Sequence, residues 1–74
     1  MKPVPTRRIR RILTARGCTL VGTEGSHEKW QTPGGLTNTI VAGDREQSAG
    51  LLRNLEDIFT PEFGPRWLQK DLQR

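Results

Sequence analysis

Gly25-Ser26-His27, with Lys29 two residues further on, is the stretch of this chain whose residue types could do chemistry. His27 is the single histidine in the sequence. Imidazole is the one side chain that ordinarily exchanges a proton near neutral pH. With a hydroxyl beside it and a lysine close by, His27 could act as an acid or a base on a phosphodiester. A lone histidine on a strand is also a common polar surface residue. The triplet therefore needs support from the elements that hold it.

Those elements can be read from spacing. Pro3 and Pro5 mark an extended N-terminal arm. Thr6 is placed to cap a helix running to about Arg16, and Gly17 suits the position just past its end. Ile9, Ile12 and Leu13 fall on one helical face, with Arg7, Arg10 and Arg11 pointing away from it. Arg8 lies at the boundary, and Arg16 can lay its stem along the apolar side. Residues 18–23 alternate as a strand, Glu24-Gly25 supplies a turn, and residues 26–32 form a second strand. On that strand Trp30 shares a face with Ser26 and Glu28, while His27, Lys29 and Gln31 share the other. Pro33-Gly34-Gly35 is a turn, and residues 36–42 are a β-rich third strand. Ser48 caps a second helix whose Leu51, Leu52, Leu55, Ile58 and Phe59 form an apolar stripe. Thr60-Pro61 is expected to break it. Trp67, Leu68 and Leu72 lie on one side of a last short helix, free to dock on the domain or to meet a partner.

Helix, three antiparallel strands and helix is an α+β order that covers one sheet face and leaves the other open to ligand. If Trp30 points into the core, His27 and Lys29 stand on the open face. A chain of 74 residues is one small domain, and it buries only about 60% of its unfolded surface. A deep cofactor pocket does not fit such a domain, so a site should be shallow or completed by a partner.

The net charge is +4 and the pI about 10.2. Lys2, Arg7, Arg8, Arg10, Arg11 and Arg16 fall in residues 1–16, where there is no acid. Such clustering suits contact with a polyphosphate; the alternative is a solvated helix face. Cys18 is the only cysteine, so neither a disulfide framework nor a zinc site is available. A single thiol with no leader segment fits the cytoplasm. No stretch approaches a membrane span.

Ile12-Leu13, Gly17-Cys18-Thr19-Leu20-Val21, Gly25-Ser26-His27-Glu28-Lys29-Trp30, Pro33-Gly34-Gly35 and Gly50-Leu51-Leu52-Arg53 together resemble the HicA toxin family. The resemblance covers about residues 6 to 59. It implies a double-stranded-RNA-binding-like fold, metal-independent cleavage of mRNA by a bacterial toxin, and a HicB-like antitoxin protein that covers the active site. No cofactor is implied. The family's catalytic histidine maps onto His27, its Gly-Ser pair onto Gly25 and Ser26, and its second-helix glycine onto Gly50. Residues 1–59 then form the RNA-binding nuclease domain and residues 60–74 a C-terminal extension. The sequence departs from the family in two places. A basic residue often precedes the triplet, where this chain has Gly22-Thr23-Glu24. A Pro-x-His often ends the third strand, where this chain has Ile40-Val41-Ala42, so a two-histidine mechanism is ruled out.

RNA cleavage without a metal needs a base for the 2′-hydroxyl, an acid for the leaving 5′-oxygen and cations around the phosphorus. His27 can fill either of the first two roles, not both at once. Lys29 can stabilise the phosphorane or be a plain solvated lysine. Ser26 can bind phosphate, orient the imidazole, or simply serve its turn. Gly25 suits a positive-φ turn position beside the bound RNA. Arg7, Arg10 and Arg11 are the expected RNA contacts. A non-catalytic RNA-binding module and a protein-interaction domain centred on Trp67 remain the rival readings.

Overall fold

A computed structural model describes all residues, Met1–Arg74. Helix α1 (Thr6–Ala15) is followed by strands β2 (Thr19–Glu24), β3 (His27–Gln31) and β4 (Thr37–Val41), then by helix α2 (Ala49–Phe63) and helix α3 (Trp67–Leu72). The strands form one antiparallel sheet in the order β2-β3-β4. Two short strands outside it, β1 (Val4–Pro5) and β5 (Glu46–Gln47), pair with each other. This small ribbon was not expected from the sequence. It ties the N-terminal arm to the loop after β4. The α+β order of helix, three strands and helix is otherwise the expected one.

Local chemistry explains most boundaries. Gly17, at φ +83°, ends α1. Its N–H donates to Thr14 O at 3.0 Å, and the Cys18 N–H donates to Leu13 O at 2.9 Å. These two bonds make a Schellman motif, and Leu13 and Cys18 both reach the core beneath it. Gly25, at φ +58°, is the first central residue of the two-residue turn joining β2 to β3, as a type II′ hairpin requires. Ser48 caps α2 by accepting from the Leu51 N–H at 3.2 Å.

Three expectations are corrected. Thr6 is not the cap of α1 but its first helical residue, after Pro5. Its buried hydroxyl donates to Asp44 O at 2.5 Å and accepts from Gln47 Nε2 at 2.7 Å. Helix α2 runs through Thr60-Pro61 to Phe63. Proline deprives the Asp57 carbonyl of its helical donor, but Asp57 is exposed and water can take the vacant place. Alternation on β2 is broken by a bulge between Leu20 and Gly22. All six residues of that edge strand are exposed, Leu20 and Val21 included.

The core lies between the sheet and the helices: Ile9, Leu13, Trp30, Ile40, Leu52, Leu55 and Phe59, closed by Trp67 and Leu68. Trp67 is 1% exposed, and its indole N–H donates to Glu56 O at 2.9 Å. Residues 67–72 therefore dock on their own domain. Arg16 seals this corner. Its guanidinium sits 5.0 Å from the Phe63 ring centre and 5.3 Å from that of Trp67, and it forms two hydrogen bonds with Asp71 at 2.7 and 3.0 Å.

Candidate functional site

Trp30 is buried, so β3 turns His27, Lys29 and Gln31 to the face that no helix covers. Cross-strand partners project on the same face. In register, His27 lies between Glu24 of β2 and Val41 of β4, and Lys29 between Gly22 and Thr39. The two-residue turn sets this register for Gly22 and Glu24, and the bulge at Val21 lies beyond it, where it brings Leu20 opposite Trp30. Gly22 brings no side chain opposite Lys29. The result is a shallow recess of about 210 Å³ lined by Gly22, Thr23, Glu24, His27, Lys29 and Thr39.

His27 and Lys29 thus come together as the sequence suggested. Ser26 and Gly25 form the turn at the rim of the recess. The Ser26 carbonyl accepts from the Ala42 N–H at 2.5 Å, which fastens the turn to the end of β4, and its side chain is exposed. Glu28 faces the helices. Its carboxylate accepts from Arg10 Nε at 3.1 Å and Nη2 at 2.9 Å, and from the Trp30 indole N–H at 3.2 Å. The Arg10 hydrogen bonds hold the Glu28 carboxyl below the usual range against the opposing effect of its burial. They raise the already high value of Arg10.

That pair corrects the expectation that Arg7, Arg10 and Arg11 all stand clear of the protein. Arg7 and Arg11 are exposed; Arg10 is bound. Arg8 is also used, with Nη2 donating to Leu72 O at 2.6 Å. Arg7 and Arg10 line a second, larger groove of about 640 Å³ with Pro5, Thr6, Asp44, Arg45 and Glu46. None of its lining residues belongs to the recess at His27. Sequence reasoning missed Glu24 and Thr39 as neighbours of His27. The first was within reach, because a two-residue turn sets the residues flanking it opposite each other. Cys18 is buried among core residues, and that burial pushes its thiol up to about 11, with help from the nearby Glu62 carboxylate. Its place is structural.

An α+β domain with one sheet face packed on helices and the other bare, bearing an exposed histidine and lysine, is of the double-stranded-RNA-binding-like kind. The family model described as HicA toxin of bacterial toxin-antitoxin matches residues 6–58. The chain belongs to that family, and as the toxin of a toxin–antitoxin pair it has an antitoxin for a partner. No curated protein and no solved structure matches it. No helix is long and apolar enough to cross a membrane.

Proposed function

We propose that this toxin is an endoribonuclease that cleaves mRNA without a metal ion, with His27 as a general acid–base catalyst. One observation carries the reading. The triplet that matches the family's catalytic motif sits at a type II′ turn, which leaves His27 exposed in a recess on the open sheet face, beside Lys29. Lys29 supplies positive charge where the phosphorane develops. Ser26 and Gly25, at the rim, are within the reach of a bound phosphate. Arg7 and Arg11 supply sequence-independent phosphate contacts, and Arg10 contributes charge while anchoring α1 to Glu28. Residues 1–59 carry all of these groups; residues 60–74 close the core behind them. A HicB-like antitoxin silences such a site by covering the recess, which is shallow enough for a protein surface to blanket.

The test is expression of the chain alone, together with cleavage of end-labelled RNA by purified protein with and without EDTA. Growth arrest and EDTA-resistant cleavage are expected, and both should be lost in His27→Ala. Undiminished toxicity of a folded His27→Ala protein refutes the assignment. RNA binding that weakens with salt but never leads to cleavage would identify a non-catalytic binding module instead.

A further inference from the structure

Metal-free cleavage needs two proton-transfer groups, and the open sheet face holds a second one beside His27. Glu24 is the cross-strand partner of His27, both side chains line the same recess, and both residues are exposed. The two-residue turn between them is fixed by Gly25 at φ +58°, and the turn is fastened to β4 through Ser26. Opposed residues in an antiparallel pair have β-carbons about 5 Å apart. Side chains of this length can diverge from there to either side of a phosphodiester. The recess contains no other carboxylate: β3 contributes His27 and Lys29, β4 contributes Thr39, and the rest of β2 contributes Gly22 and Thr23. Glu28, the other acid of the hairpin, faces the helices and is held by Arg10.

We infer that Glu24 is the general base and His27 the general acid. This rests on the nuclease reading above. The Glu24 carboxylate removes the 2′-hydroxyl proton as that oxygen forms its bond to phosphorus. The P–O5′ bond then breaks, and the 5′-oxygen takes the proton of the His27 imidazolium. The products are a 2′,3′-cyclic phosphate and a 5′-hydroxyl. Protonated Glu24 and neutral His27 then exchange protons with water, which restores the starting state without an oxidant, a reductant or a metal. A carboxylate beside a phosphate is repelled by it, and Lys29 in the same recess offsets that repulsion. The roles follow from ordinary chemistry: a carboxylate can only accept a proton, whereas an imidazolium has one to donate.

The experiment is single-turnover cleavage of an RNA oligonucleotide across pH by the full chain and by Glu24→Gln, Glu24→Asp and His27→Ala, with the product ends identified. Wild-type protein should give a bell-shaped profile and 2′,3′-cyclic phosphate ends. Glu24→Gln should slow cleavage about 10²-fold or more, the usual size of acid–base assistance, and should lose the acidic limb while keeping the basic one. Glu24→Asp, which keeps a carboxylate, should restore the acidic limb. Glu24→Gln at the wild-type rate with its acidic limb intact, while His27→Ala is dead, overturns the role of Glu24 and leaves the nuclease reading standing. Cleavage that survives in His27→Ala, or a wild-type chain that cleaves no RNA, overturns both.

Discussion

The side-chain amide of Gln47 grips the backbone of Val41 at both ends. Oε1 accepts from the Val41 N–H at 2.9 Å, and Nε2 donates to the Val41 carbonyl at 2.8 Å. Gln47 thereby acts as one residue of an absent neighbouring strand, at the β4 position directly opposite His27. It is 1% exposed, and its remaining N–H is taken by Thr6. Removing it strands these groups together. Gln47→Ala should cost about 2–4 kcal/mol, from lost bonds that are modest individually and from buried groups left unpaired. Urea unfolding measures this directly; a change below about 0.5 kcal/mol would mean that water replaces the amide without loss.

Acid should loosen the contact between α1 and the sheet. Arg10 holds Glu28 below its ordinary value, so the carboxyl ionises more readily in the folded chain than in the unfolded one. The stability this contributes is complete above the ordinary glutamate value of about 4.3 and is lost as pH falls through the lower folded value. Melting temperature should therefore drop more steeply on acidification in the wild type than in Glu28→Gln. Parallel curves would show that the pair contributes no pH-dependent stability.

The exposed and the bound arginines should separate in RNA binding. With the non-cleaving His27→Ala protein, Arg7→Ala and Arg11→Ala should each reduce the salt slope by about 0.7 to 0.9. Arg10→Ala should show its larger effect in thermal stability, because it leaves Glu28 without its partner. Salt slopes unchanged in an Arg7/Arg11 double variant would reduce that helix face to a solvating role.

Cys18 should resist modification. A thiol pushed up to about 11 by burial is almost wholly protonated at neutral pH, and the thiolate is the reactive form. Labelling by a thiol reagent in native buffer should be slow and should accelerate on adding denaturant. Rapid native labelling would mean that the Gly17-Cys18 corner opens readily.

Trp67→Ala should be among the most damaging single changes. Truncating a buried tryptophan typically costs about 3–5 kcal/mol, and domains of this size have little stability to lose. Trp67 also carries the stacked Arg16 and the bond to Glu56. Circular dichroism and urea titration should find the variant largely unfolded or strongly destabilised; a cooperative transition near the wild-type midpoint would place the core without it.

What could be read in the sequence was local. The end of α1 at Gly17, the turn at Gly25, the cap at Ser48 and the burial of Trp30 each follow from residues within a few positions of one another. What could not be read was long-range. Thr6 looks like a cap until Asp44 and Gln47 are brought against it from about forty positions away. Arg10 looks free until the fold carries Glu28 beneath it. Pro61 looks like a helix breaker, yet only the exposed Asp57 loses a donor. At the site, His27 and Lys29 were legible from strand alternation. Glu24 was within reach of the same local reasoning, because the two-residue turn alone sets it opposite His27.

The docking of α3 also bears on how the chain comes off the ribosome. Leu68 has no exposed surface, and Trp67 packs against Phe59 and Phe63 of α2 and beneath Arg16, just past the end of α1. An emerging chain therefore cannot assemble its complete core until residue 68 has left the exit tunnel. Chains fold in synthesis order where their contacts allow it, and here the core formed by residues 4–59 waits for two side chains that follow it in the sequence. Until Trp67 and Leu68 are in place, the core behind the sheet that carries His27 stays open on one side.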